Sequence, residues 1–205
     1  MGYHRAGFEV VGVDINLQKH YPFEFHQADA LTFPLDGFDV IHASPPCQRY
    51  SAATTVNRTQ DRHPAMIGAT RRRIHRLPYV IENVPRSPLR DPVLVCGVAL
   101  GLRLGRYVLR RHRLFESNRP IKGTGCECRI GGKWVGVTLG VYGGGPTGKA
   151  RCLKAKNPGG GRPQKATVEQ AREIMGMPWA LKRELNEAIP PAYTEWIGRE
   201  LLRCL

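Results

Sequence analysis

The chain has 205 residues, 41% of them apolar, which is enough for one domain with a buried core and excludes a disordered chain. Its formal net charge of +14 makes a polyanion the expected partner, nucleic acid first, because neutralised phosphates release condensed counterions. No run of about 18 apolar residues occurs, so no membrane span is expected, and the start MGYHRAGFEVVGVDI lacks the basic head and apolar stretch of a signal peptide.

The predicted elements begin with FEVVGVD (8–14), a buried strand closed by Asp14. FDVIHAS (38–44) is a second strand and runs into Pro45-Pro46; YVIENV (79–84) is a third, after the basic segment ATRRRIHRL (69–77). Buried strands separated by longer connectors predict a mostly parallel sheet covered by helices. From about residue 116 to 163 glycine is dense, and only WVGVTLGVY (134–142) reads as a strand, so a small insertion with β structure is expected there. Within it GGGPTGK (143–149) fits most of a phosphate-binding loop, but Ala150 lacks the hydroxyl that would hold Mg²⁺, and nucleotide hydrolysis is not expected. Thr167 with Gln170 forms a capping-box pattern that opens a helix through Met175, stopped by Gly176 and Pro178. Beyond Pro190-Pro191, Tyr193, Ile197 and Leu201 recur at helical spacing, with Trp196 beside them, and predict a terminal helix packed on the core. There is no internal repeat.

Candidate chemistry concentrates in the first half. Cys47, in Ser44-Pro45-Pro46-Cys47-Gln48, falls just past the end of a predicted strand, where parallel α/β sheets place their ligands. The two prolines stiffen its approach. Glu82 ends the next strand, and adjacent parallel strands would bring it to the same sheet edge as Cys47. A thiol beside an acid suits covalent catalysis on a ring that must also be protonated. The run LRRHR (109–113), basic and strand-like, reads alone as a phosphate-binding patch or a solvated face. Of the six cysteines only Cys126 and Cys128 are close, as C-x-C, with no second pair at zinc-finger spacing. Reduced thiols are expected, and no metal-ligand set is assigned.

Taken in order, these motifs resemble those of the DNA (cytosine-5) methyltransferase family. Pro46-Cys47-Gln48, followed by Ser51, matches its nucleophile motif, and Glu82-Asn83-Val84 its glutamate-asparagine-valine motif. Arg111 and Arg113 match the arginines of its glutamine-x-arginine-x-arginine motif, with Leu109 in place of the glutamine. Asp14 stands where the family has a ribose-binding acid, and Asp29-Ala30 where a segment touches the adenine. LNEAIPP (185–191) resembles the closing motif of the cofactor pocket, with Glu187 where an asparagine is usual.

The resemblance implies an α/β, Rossmann-like S-adenosylmethionine-dependent methyltransferase fold, N-terminally truncated, with a small Gly-rich β insertion. Residues 1–115 would form the catalytic core, 116–165 a reduced target-recognition insertion, and 166–205 helices returning to the core. It implies methyl transfer from S-adenosylmethionine to C5 of a cytosine swung out of double-stranded DNA. Cys47 would add to C6, Glu82 would bind and protonate N3, and Arg113 with Arg111 would steady the base and hold positive charge close to the thiolate, raising its fraction. Asp14, Ile15, Asp29, Ala30 and Pro46 would contact the cofactor. A cytoplasmic monomer of a prokaryotic cell or its virus, accompanied by a restriction enzyme, is the corresponding setting. Relatives run the same chemistry on tRNA, so an RNA substrate stays open.

The family's first strand and its F-x-G-x-G-G turn have no counterpart, since Gly2-Tyr3-His4-Arg5-Ala6-Gly7 matches only the end of the helix that follows them. Two explanations stay open: a true start upstream of Met1, or a degenerate remnant that binds DNA without transferring methyl. Either way the bare chain is expected to be unstable or inactive. A zinc-stabilised nucleic-acid module on Cys126, Cys128 and Cys152 is a third reading.

Overall fold

The computed structural model describes residues 1–141 and 163–205, so the 143–149 motif, Cys152 and the last residue of the 134–142 run lie outside the described residues. In chain order the elements are α1 (Gly2–Ala6), β1 (Val11–Asp14), β2 (Glu24–Gln27), β3 (Ile41–Ala43), α2 (Ala52–Asn57), α3 (Ile67–Ile74), β4 (Tyr79–Asn83) and β5 (Val93–Cys96). They continue with β6 (Arg103–Leu104), β7 (Tyr107–Val108), β8 (His112–Ser117), β9 (Arg129–Ile130), β10 (Lys133–Trp134) and β11 (Val137–Gly140). After the undescribed stretch come β12 (Gln164–Lys165), α4 (Val168–Met175), α5 (Lys182–Glu187) and α6 (Pro191–Leu202).

β4 is buried along its whole length, inside a four-stranded sheet of order β3-β4-β8-β5. Its near-continuous apolar run follows from cover on both faces. Tyr79 and Ile81 pack with Ile74 of α3, while Val80 packs with Val95, Phe115 and Tyr193, Ile197 and Leu201 of α6. Helix, sheet and helix thus form three layers. α1 lies against α6 so closely that a Cβ on Gly2 would overlap the Pro191 carbonyl, and one on Gly198 would stand 2.8 Å from the Ala6 Cβ.

The sheets are mixed rather than mostly parallel. β3 and β4 pair in parallel, but β8 runs antiparallel to both β4 and β5. The basic, strand-like run at 109–113 leads into β8, whose apolar Leu114 and Phe115 follow it. β1 and β2 form their own parallel pair, so β1 shares no ladder with β3.

A second core gathers Leu109, Leu139, Val141, Ile174, Met175 and Leu185 under a four-stranded sheet of order β12-β11-β7-β6. β6 and β7 join the middle segment's sheet, α4 and α5 pack on that core, and α6 packs with the first sheet. The 134–142 run is not one strand either. It breaks between β10 and β11 at Gly136, whose φ of 62° and whose approach to the Arg106 carbonyl leave no room for a side chain. α4 has the expected ends: Thr167 Oγ1 accepts from the Gln170 N–H at 3.2 Å, Gln170 Oε1 accepts from the Thr167 N–H at 3.0 Å, and Gly176 is left-handed. Among the described residues no helix is long and apolar enough to cross a membrane.

Candidate active site

The carboxyl ends of β3 and β4 lie side by side in parallel register, Ala43 opposite Ile81. The next residues therefore meet: Ser44 reaches Glu82, and Asn83 reaches the Pro45 backbone. The buried Asn83 amide donates to the Pro45 carbonyl at 2.9 Å, while its own oxygen accepts from the Val84 N–H at 3.0 Å. This clamp fixes the loop that carries Cys47, which caps a 3-10 turn over Gln48–Tyr50. Ser51 then caps α2 by accepting from the Thr54 N–H at 3.3 Å. The Ser-Pro-Pro-Cys-Gln and Glu-Asn-Val segments are thus two halves of one construction.

Glu82 is 5% exposed, and Arg113 of β8 brings Nε to 2.8 Å from its Oε1. The contact is an ion pair but not an aligned hydrogen bond, which leaves Oε1 buried with no hydrogen-bond partner among the described residues. Burial pushes the Glu82 carboxyl above the usual carboxylate range, against the pull of Arg113, Ser44 and Arg111. Burial likewise pushes the Cys47 thiol up; Arg113 and Arg111 oppose it and Glu82 reinforces it. In this state desolvation outweighs the arginines.

Behind Glu82 runs a hydrogen-bonded chain that the sequence did not announce. Tyr3 Oη lies 2.8 Å from His42 Nδ1, His42 Nε2 lies 2.9 Å from Ser44 Oγ, and the Ser44 hydroxyl bonds the Glu82 carboxyl. Burial lowers His42 to about 4 and raises Tyr3, so the imidazole is neutral and the phenol protonated at neutral pH. The phenol then donates to Nδ1, Nε2–H donates to Ser44, and Ser44 donates onward to the acid. A histidine inside the apolar strand FDVIHAS was the available signal, because a half-buried imidazole against the sheet still needs partners.

The remaining predicted residues are dispersed. Arg111 acts on Glu82 and Cys47 through its charge. Its guanidinium donates to the carbonyls of Val141 and Leu185, each at 3.4 Å, and of Asn186 at 2.9 Å, strapping β8 to the segment before α6. Asp14 ends β1 and Ile15 follows it, and Asp29-Ala30 follow β2 beside them: the Asp14 carbonyl accepts from the Ala28 N–H at 3.0 Å, and the Ile15 carbonyl from Gln27 Nε2 at 3.2 Å. Ile15 is 68% exposed, an apolar surface next to the acid. Pro46 is exposed beyond β3. A cleft of about 570 Å³ opens at the β1 end, lined by Asp14, Leu17, Trp179, Glu187 and Ile189, and bridged by His20 Nδ1 and Glu184 Oε1 at 2.8 Å. Asp14 lines it; Ile15, Asp29, Ala30 and Pro46 do not.

No protein-family model matches the sequence, and no curated protein matches it. Among solved structures it is similar to a crystal structure of a candidate DNA modification methyltransferase encoded within an Escherichia coli prophage. The two share 15% sequence identity and superpose with a TM-score of 0.56 over 99% of this chain and 94% of that one. This chain shares that protein's fold. The likeness thus establishes a mixed α/β architecture found in a methyltransferase-type protein, with parallel and antiparallel sheets.

Proposed function

We propose that the chain is a methyltransferase that modifies C5 of cytosine in DNA, with Cys47 as nucleophile. The observation that supports this most directly is the buried Glu82 carboxyl, with Oε1 lacking a hydrogen bond, in the same electrostatic field as Cys47 and Arg113. A pyrimidine over Cys47 would meet an acid able to hold a proton at ring nitrogen N3. The Cys47 sulfur would form a bond to C6, the displaced electron pair would move toward C5, and the Glu82 proton on N3 would neutralise the charge that develops. With a methyl group supplied to C5 by the bound cofactor, which would depart as a neutral thioether, loss of the C5 proton to solvent, return of the N3 proton to Glu82 and breaking of the S–C6 bond would release the free thiolate and the modified base.

The charges of Cys47, Glu82 and Arg113 make these states interdependent. Glu82 as an anion raises the Cys47 thiol; Glu82 as a neutral acid leaves Arg113 free to favour the thiolate. Neutral acid and ionised thiol belong together, as addition to C6 requires. The prophage protein's candidate role in DNA modification and the +14 charge favour DNA as substrate.

S-adenosylmethionine would supply the electrophilic methyl group. The cleft fits such a nucleoside: Asp14 is an acid at a strand end for ribose hydroxyls, and Leu17, Trp179 and Ile189 give apolar contact. Glu187 lines the same cleft and adds a second carboxylate.

The test is transfer of labelled methyl from S-adenosylmethionine to duplex DNA, single-stranded DNA and RNA. Replacing Cys47 by serine is expected to cut transfer by at least about 1000-fold, as loss of a nucleophile does. Salt-sensitive DNA binding without transfer would favour a non-catalytic binding role. Transfer that survives in Cys47→Ser would overturn the covalent route.

A further inference from the structure

On the face of β8 opposite Arg111 and Arg113 lies His112. The register of β5 against β8 sets it directly across from Cys96. The segment after β8 returns to this point. Its Thr124 N–H donates to the Leu94 carbonyl at 2.9 Å, and Thr124 Oγ1 accepts from the Cys96 N–H at 2.9 Å. Gly123 lies so tightly on β5 that a Cβ there would overlap the Leu94 carbonyl. The path delivers Cys126 and Cys128 to the same point, and the β9–β10 hairpin folds over them, with the Val135 N–H donating to the Cys128 carbonyl at 3.1 Å.

Four donor atoms result, three sulfurs and one imidazole nitrogen, all within 4.8 Å of one another. Cys96 Sγ and Cys128 Sγ are 3.6 Å apart, and His112 Nε2 is 3.3 Å from Cys126 Sγ and 3.4 Å from Cys128 Sγ. A tetrahedral zinc about 2.3 Å from sulfur and about 2.0–2.1 Å from nitrogen sets S···S edges of about 3.8 Å and S···N edges of about 3.5 Å. The donors already stand close to that figure, while no disulfide joins Cys96 to Cys128. We infer that Cys96, His112, Cys126 and Cys128 form a structural zinc site.

Thiolates with an imidazole, and no carboxylate, select zinc over magnesium or calcium. Four protein ligands leave no open position, so the ion holds structure rather than activating water. Cys96 and Cys128 are buried, walled by Val98, Val108, Trp134 and Val135. Three thiolates around Zn²⁺ carry a net −1, and Arg129 and Arg110, stacked on Trp134 at 4.3 and 4.5 Å, supply positive charge beside it. The site would pin the middle segment to β8, the strand that presents Arg113 to Glu82. It differs from a zinc module built on Cys152: Cys96 and His112, far apart in sequence, complete the set.

Metal analysis of the full chain, expressed with zinc and purified under reducing conditions, is expected to give about one zinc per chain. Cobalt exchange should give the intense visible absorption of a tetrahedral ion together with thiolate-to-cobalt charge transfer near the ultraviolet. Cys126→Ala, at the exposed ligand, should lower the zinc content several-fold, while Cys204→Ala leaves it unchanged. Should Cys126→Ala fail to fold, the wild-type cobalt spectrum decides alone. Metal-free protein with all thiols reduced, a Cys96–Cys128 disulfide, or a cobalt spectrum without sulfur ligation would each overturn the assignment.

Discussion

At Cys47 burial raises the thiol's pKa, Arg113 and Arg111 oppose it, and Glu82 adds to the effect of burial. Replacing Glu82 by glutamine removes a negative neighbour and leaves Arg113 without a counter-charge, so both changes act to lower the thiol's pKa. Alkylation of Cys47 by iodoacetamide near neutral pH should therefore quicken by about 3–10-fold, with its pH profile shifted to lower pH. Methyl transfer should fall by about 100-fold or more, because no proton can be held at N3. A thiol profile unmoved in natively folded Glu82→Gln would disprove the coupling. Cys47 and Glu82 were legible as neighbours because their motifs sit at the ends of adjacent parallel strands, where side chains from different segments converge; Arg113 entered through the motif resemblance alone. Arg111 belongs to the same motif, yet its guanidinium turns to the carbonyls of Val141, Leu185 and Asn186. Tyr3 and His42 were not legible as a pair, since a hydrogen bond between residues 39 apart leaves no periodic trace in sequence.

Among the elements, α3, β4 and β8 are joined by one buried carboxylate. Glu116 is 1% exposed and takes both arms of Arg71, Nε at 2.5 Å and Nη2 at 2.6 Å, with the Tyr79 hydroxyl at 3.0 Å and the Arg90 N–H at 2.7 Å. Burial alone would raise its pKa. The bonds from Arg71, Arg90 and Tyr79 outweigh burial and hold it below the usual carboxylate range. A carboxyl whose pKa is lower folded than unfolded adds stability above the unfolded value and loses it as pH falls through the folded one. Glu116→Gln should thus cost about 3 kcal/mol at neutral pH, by stranding Arg71, and the deficit should shrink on acidification. Urea unfolding at several pH values measures both; a pH-independent deficit would show that the charge of Glu116 is not what binds these elements. Elements were legible where chain-local chemistry decides them, as at Thr167, Gln170 and Gly176. They were misread where tertiary contact decides, as at Gly136, whose backbone packs on the Arg106 carbonyl and breaks an otherwise convincing strand.

For the molecule as a whole, 15% identity to the prophage protein is enough to keep one fold across two sequences, because burial pattern and strand order constrain the architecture more than residue identity does. The order β3-β4-β8-β5 could not be read beforehand, since periodicity gives strands but not their pairing. Charge, by contrast, needs no fold to be read. With a net +14, a duplex lying across roughly a third of the surface would meet about five excess cations, and displacing their phosphates' counterions gives a log–log salt slope of about −4 to −5. Between about 50 and 200 mM salt the affinity for duplex DNA should then drop by a few hundredfold. Fluorescence anisotropy with a labelled duplex measures this directly. Cys47→Ser should follow the same line as the wild type, because a neutral thiol replaced by a neutral hydroxyl changes no charge facing phosphate. A slope near zero would mean that the excess charge is spread as a solvated surface and that substrate is gripped by other means. A steep slope shared by both proteins would separate binding, set by the field of the whole chain, from transfer, set by one sulfur.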